Sequence, residues 1–463
     1  MKRLRPHLVF WLLVFSIATP FLYGDSLNMD SKPIVVRLDV ESSLKPLYVA
    51  PLINDDAEFP DSYLKRLEQV LSFDLSQNGS TSLFGKTDAL NEHVSSVPYD
   101  QFGSLSEWKS ERVAYVVKTR FKEKLFFVTI LNVESKSTKN LGSVPLTGVL
   151  SDDRRQVHKV ADAIHRALFD EDGIASTKIL YAIKIQNDKG KYCSEIFESD
   201  YDGANARRLT NEGDYCISPV YIPPKPGCVA GGFMYVSYKI GQPKIYLKSF
   251  RDGIDRRLSD LKGNQLTPAI SAQRDKIAFI SDVTGNPDLF IQAFSPESGA
   301  IGKPYQVFSA KQATQGSPTF SPDGKRLAFV SNKDGSPRIY VLDIPPPGAG
   351  MKNVKVKLIS GRNRENTAPC WSPDSTKLAY CARSGGDRQI WVYDFTTNTE
   401  KQLSQGPGNK ENPFWAPNSL HLIFNSTDKN TGELYIMNLN QSEAFQITRG
   451  AGEKSFPAWG PRG

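Results

Sequence analysis

One phrase recurs along the last 290 residues of the chain, and it limits what the chain can fold into more than any other feature. It reads Ser-Pro-Thr-Phe-Ser-Pro-Asp-Gly-Lys-Arg-Leu-Ala-Phe-Val-Ser at 317–331 and Ala-Pro-Cys-Trp-Ser-Pro-Asp-Ser-Thr-Lys-Leu-Ala-Tyr-Cys-Ala at 368–382. It returns at 412–426 and, more faintly, at 267–281 and 218–238. The marking prolines are Pro219, Pro268, Pro318, Pro369, Pro413 and Pro457, spaced 49, 50, 51, 44 and 44 residues apart. A period of about 40–50 residues made of short strands and turns means a β-propeller, one blade per repeat.

Within a repeat, an apolar strand follows the first proline and ends in a turn such as Ser321-Pro322-Asp323-Gly324. Proline presets φ for the second position of a type I turn, and glycine suits the fourth. Further strands follow, for example Arg338–Asp343, Gln389–Asp394 and Glu433–Asn438. Each unit closes on Leu or Ile followed by Thr or Ser: Leu209-Thr210, Leu258-Ser259, Ile359-Ser360, Leu403-Ser404, Ile447-Thr448. Four strands rich in β-branched and aromatic residues make a blade. The ends do not match: residues 178–210 supply three outer strands without a proline-marked one, and 455–461 supply a proline-marked strand alone. Each completes the other, giving six blades with the last strand of the chain innermost in the first blade. Such closure leaves no open sheet edge.

The first residues, Met1-Lys2-Arg3-Leu4-Arg5 and the apolar run Leu8–Ile17, describe a secretory signal peptide. Cleavage is expected after Gly24, with Ala18 as the other candidate, so the organisation reads signal peptide 1–24, α/β domain 25–173 and propeller 174–463. The run is too short for a membrane-spanning helix, which needs about 20 residues. Residues 25–173 carry 18 Lys/Arg against 23 Asp/Glu, and residues 174–463 carry 36 against 27. No dense basic run with interleaved aromatics exists, so nucleic acid is not an expected partner. The five cysteines, at 193, 216, 228, 370 and 381, show no C-x-x-C spacing and read as packing residues.

Residues 33–170 do not repeat. Pro33–Asp39 and Leu47–Pro51 read as strands, and Asp61–Gln77 as an amphipathic helix with Leu64, Leu67, Leu71 and Leu75 at helical spacing. Arg112–Phe121 and Leu125–Val133 form a hairpin, and Leu141–Val144 a further strand. Asp152–Leu168 is a second helix, with Val157, Val160, Ala161, Ile164 and Leu168 on one face. The expected fold is an N-terminal α/β domain, two helices on a mixed sheet, followed by an all-β six-bladed propeller.

The sequence holds no G-x-S-x-G elbow and no H-E-x-x-H motif. His158 and His165 sit seven apart on the second helix and read as helix residues rather than ligands. Asp200-Tyr201-Asp202-Gly203 lacks the further oxygen ligands of a calcium loop and reads as a turn between blade strands. No catalytic residue, cofactor or metal is expected. Propellers that are not enzymes bind at the mouth of the central channel. The residues before the blade prolines, Thr267, Ser317, Ala368, Asn412 and Phe456, ring one mouth. A glycan or small-molecule binder, or a hydrolase with an unrecognised site, is the alternative. A glycan binder requires mouth aromatics, and Phe456 is the only one at these positions.

The signal peptide, the strand-first α/β domain, Ser199-Asp200-Tyr201-Asp202-Gly203-Ala204-Asn205, the Trp/Phe-Ser-Pro-Asp-Gly repeats and the terminal Phe456-Pro457-Ala458-Trp459 together resemble the TolB family. That family is the periplasmic component of the Tol–Pal system of Gram-negative envelopes. The resemblance spans nearly the whole chain beyond residue 24. It implies a non-enzymatic, monomeric periplasmic adaptor that supports outer-membrane integrity and constriction during cell division. The propeller mouth would bind the lipoprotein Pal, through positions including Asn264, Thr267 and Gly316. The segment beginning Ile34-Val35-Val36-Arg37-Leu38-Asp39 would bind TolA or fold back on the propeller. The chain departs from the pattern in the extra residues Asp25–Pro33, in Asn264 where relatives often carry His, and in the irregular insert Pro223–Cys228.

Overall fold

The computed structural model describes residues 34–36, 44–85, 87–186, 190–349, 351, 354–428 and 431–462. The expected signal peptide and the candidate TolA-contacting residues Arg37, Leu38 and Asp39 lie outside the described residues.

The front of the chain builds one mixed sheet from β2 (Lys45–Val49), β3 (Ile53–Ala57), β4 (Thr81–Leu83), β5 (Tyr115–Glu123), β6 (Leu125–Asn132) and β7 (Ser137–Pro145). Its order is β4-β2-β5-β6-β7, with β3 beside the far end of β5. β4 and β5 run parallel to β2, and β5, β6 and β7 are antiparallel. Period-two alternation sends Leu47 and Val49 to one face and Tyr48 and Ala50 to the other, so both faces need a cover. Helices α1 (Asp61–Ser76) and α4 (Leu150–Phe169) cover the first. Two short helices not expected from the sequence, α2 (Asp88–Ser95) and α3 (Leu105–Ser110), pack Leu90, Val94 and Trp108 on the second. They are about two turns or less, so each offers too few apolar positions to set a helical period. β3 escaped for the opposite reason: Ile-Asn-Asp-Asp-Ala has no apolar alternation.

Six four-stranded antiparallel sheets follow, five formed from one repeat each and the first from both ends of the ring. In the first, Glu453–Trp459 is the innermost strand and pairs with Lys178–Gln186, joining the chain's end to the beginning of the ring. The Leu/Ile-Thr/Ser signature has a physical role at the outer edge. In four blades the hydroxyl accepts the backbone N–H that the short fourth strand leaves unpaired: Ile196 N–H on Thr210, Ile339 on Ser360, Ile390 on Ser404 and Leu434 on Thr448, all at 2.8–2.9 Å. A buried, unmatched N–H would cost about 1–3 kcal/mol. The Ser-Pro-Asp turns are locked similarly: Ser321 Oγ accepts the Arg326 N–H at 2.9 Å and donates to Asp323 at 2.5 Å, and Ser372 repeats the pattern with Lys377 and Asp374.

The two regions share a core. Leu64, Leu67 and Val70 of α1 and Val157, Ala161 and Ile164 of α4 belong to one apolar cluster with Ile179, Tyr181, Ile423, Leu434 and Trp459 of the first and last blades. The carbonyls at the C-terminal end of α1 have no intrahelical donors. Propeller side chains supply them: Gln441 donates to Ser76 O at 2.7 Å, His421 to Gln77 O at 2.8 Å and Asn440 to Gly79 O at 2.7 Å. β1 (Val35–Val36) pairs with Ser404–Gln405 on the ring, burying Ile34 and Val36 between the fifth and sixth blades while Val35 stays exposed. Among the described residues no helix is long and apolar enough to cross a membrane.

Candidate functional site

The six innermost strands enclose a channel of about 520 Å³. Ser218, Thr267, Ser317, Ala368, Asn412 and Phe456 all line it, each followed by its blade proline. All six have positive φ, between 44° and 53°. At each of them the strand register shifts by a bulge, so these residues lie inside the strands, on the channel wall, rather than in the loops before them. Proline explains the bulge: it has no N–H to give the ladder, and a bulged position leaves a residue unpaired at no further loss. The left-handed conformation at a non-glycine residue costs about 1–2 kcal/mol. Ala368→Gly is therefore expected to stabilise the fold by about 0.5–1 kcal/mol after the greater chain entropy of glycine is subtracted. Chemical denaturation should show a raised midpoint with an unchanged slope.

Thr267, Ser317, Ala368 and Asn412 are thus brought together around the channel, whereas the other two candidates are not among its lining residues. Asn264 braces a rim loop, with its backbone N–H and its side chain both donating to Asp282 at 2.6 and 2.7 Å. Gly316 pairs with Val330 within its hairpin. Two residues beyond the prolines, Tyr221, Phe320, Trp371, Trp415 and Trp459 form an aromatic belt, although in the repeat they read only as apolar strand residues. The three indoles are at most 5% exposed, so their faces are packed rather than open for stacking on a sugar. The rest of the wall mixes apolar residues with the hydroxyls of Ser218, Thr267, Ser317, Thr319 and Ser321, and no Asp, Glu, His, Lys or Arg is among its lining residues. Burial pushes the Cys370 thiol up to about 12. All five cysteines are free. Among the described residues no group of His, Cys, Asp and Glu is placed to hold a metal ion.

A second constellation lies where α1 and α4 meet the first blade. Asp74 of α1 is fully buried and accepts hydrogen bonds from His158 Nδ1 of α4 and from the Tyr201 hydroxyl of the blade, both at 2.8 Å. His158 Nε2 lies 3.7 Å from Asp202, which also pairs with Arg154. Burial alone would pull the imidazole down, but Asp74, with Asp202 and Asp200, outweighs it and holds His158 above its ordinary value. The Asp200–Gly203 segment is the expected turn, and it also carries this contact. No sequence signal marked Asp74 as its partner, because 84 and 127 residues separate it from His158 and Tyr201. His421 is the reverse case. Buried between Gln77 O and the Asn418 side chain, it is pushed down to about 4 and stays neutral.

Fold and site together define a closed six-bladed propeller with a lined central channel, seated on an α/β domain through a buried polar junction. The family described as the TolB beta propeller domain matches residues 165–463. A TolB homolog of Protochlamydia amoebophila is 54% identical over 409 residues, covering 88% of this chain and 87% of that protein. One of Chlamydia caviae is 36% identical, covering 84% and 85%. The crystal structure of TolB from Acinetobacter baumannii shares the fold with a TM-score of 0.74 at 22% identity, over 93% of this chain and all of that one. The chain belongs to the TolB family.

Proposed function

We propose that the chain is a non-enzymatic periplasmic adaptor of the Tol–Pal system, exported by a signal peptide ending at Gly24 and acting as a monomer of two domains, 25–173 and 174–463. Its channel mouth takes the lipoprotein Pal, and the segment around Ile34–Asp39 engages TolA, linking the two in support of outer-membrane integrity and constriction during division. The observation that carries this reading is the channel wall, on which Thr267, Ser317, Ala368 and Asn412 converge with no Asp, Glu, His or Lys among the lining residues to activate a hydroxyl. Polar side chains beside a packed apolar and aromatic surface are the make-up of a protein interface. The N-terminal segment is suited to strand exchange: Ile34 and Val36 face inward and Val35 outward, so the same backbone edge can add to a partner sheet. The test is binding of the peptidoglycan-binding domain of Pal from the same organism to the mature protein. Saturable binding is expected, lost in Thr267→Arg and Ser317→Arg while both variants melt as the parent does. Absence of binding by the folded parent protein rules the reading out.

A further inference from the structure

A cleft of about 660 Å³ opens between α4 and the first two blades, and it touches the floor of the channel at Tyr221, Gly460 and Pro461. Three elements converge on it with four cations: Arg155 and Lys159 from α4, Lys178 from the second strand of the first blade, and Arg207 from that blade's outer edge. Two carboxylates, Glu198 and Asp200, and the imidazole of His158 also line it, so cationic groups outnumber the acids. The layering decides which sign faces the cavity. The Glu198 and Asp200 side chains are only 4% and 5% exposed, while those of Arg155, Lys178 and Arg207 are 42%, 39% and 56% exposed. These two acids therefore lie behind the cations, while Arg155 also pairs with the exposed Asp152 at 3.0 Å. Glu198 already accepts from Arg207 at 2.6 Å, from the Tyr221 hydroxyl at 3.1 Å and from Lys178 at 3.4 Å. Lys159 is exposed and has no ion-pair partner among the described residues. Val229, Ala230 and Phe250 give the cleft its apolar lining.

We propose that this cleft binds a phosphate monoester carried on an apolar body. The dianion would answer this cationic lining, with Arg207 offering a planar donor fork suited to phosphate oxygens, Arg155 a second that it would share with Asp152, and Lys159 the free point charge. The apolar body would lie against Phe250 and Val229. This site stands apart from the channel mouth, so it neither needs nor tests the Pal reading. The same chemistry is presented by a soluble ester and by a lipid headgroup of the phosphatidic type.

The experiment is calorimetric titration of the mature protein with phenyl phosphate and, separately, with phenol, alongside co-sedimentation with vesicles of phosphatidic acid in phosphatidylcholine and of phosphatidylcholine alone. Saturable binding of phenyl phosphate but not phenol is expected. Lys159→Gln and Arg207→Gln should each weaken it about tenfold, the scale of one charge-assisted contact. Lys159 is exposed, so its variant tests the site without disturbing the fold. Vesicle retention lost in the same variants assigns the headgroup as the source; ester binding without retention assigns a soluble ester. No binding of phenyl phosphate, equal binding of phenol, or affinity unchanged in both variants overturns the proposal.

Discussion

A chain ending at Ser455 is expected to lose its single cooperative thermal transition. The residues removed are the bulged half of one strand, yet that strand is the innermost of the first blade. Ala458 pairs with Leu180 and Trp459 with Ile179, both fully enclosed. The Trp459 indole donates to Thr177 at 2.8 Å, and the Gly460 N–H to Lys178 O at 2.7 Å. Loss of one buried tryptophan costs about 3–5 kcal/mol, and each backbone bond adds about 1 kcal/mol. The strand 178–186 would also become an open edge facing an unfilled channel, available for pairing between molecules. The sum rivals the whole stability of a domain, about 5–15 kcal/mol. Trp459→Ala, which keeps the backbone, should lower the melting temperature without abolishing the transition. Calorimetry separates the cases: a truncated protein that melts as the full chain does would show that ring closure contributes nothing.

The propeller was legible because its information is local and repeated. Each blade writes its turn, its proline and its closing hydroxyl within some 45 residues, and the unmatched ends announce the closure. What the repeat did not disclose is direction. The residues before the prolines read as ringing one mouth of the channel, whereas the bulge at Thr267, Ser317 and their counterparts sets them within the strands. A bulge changes which face a residue presents, and no single sequence spells that out. The α/β domain was legible where helices are long. The spacing of Leu64, Leu67, Leu71 and Leu75 marks α1, while α2 and α3 depend on a sheet face that only tertiary structure supplies. The polar junction was least visible of all, since Asp74, His158 and Tyr201 come from three distant places and each alone looks like an ordinary surface residue. Their partners, not their spacing, make them buried.

That junction leads to the second large effect, a stability optimum bounded on both sides by histidines of opposite behaviour. His421 has a folded pKa of about 4 against an ordinary 6.5, because burial disfavours its charged form. The unfolded chain therefore takes up a proton first, so stability is present above about pH 6.5 and is lost as the pH falls toward 4. A depression of that size corresponds to about 3 kcal/mol. His158 is held above its ordinary value by Asp74, so its contribution is complete below about pH 6.5 and is lost as the pH rises through the raised folded pKa. Alkaline conditions then leave Asp74 buried beside a neutral imidazole, with Tyr201 its remaining neutral donor. Thermal unfolding measured from about pH 5 to about pH 9 should give a bell-shaped stability curve. His421→Gln is expected to flatten the acid limb and His158→Gln the alkaline one. Asp74→Ala should cost about 3–5 kcal/mol at neutral pH, the range for removing one partner of a buried pair. If both histidine variants reproduce the parent curve, other groups set the pH response and the two-histidine account fails. Amide exchange across α1 and the Asp200–Asn205 turn locates the loosening: protection there should fall at either extreme before the blades themselves open.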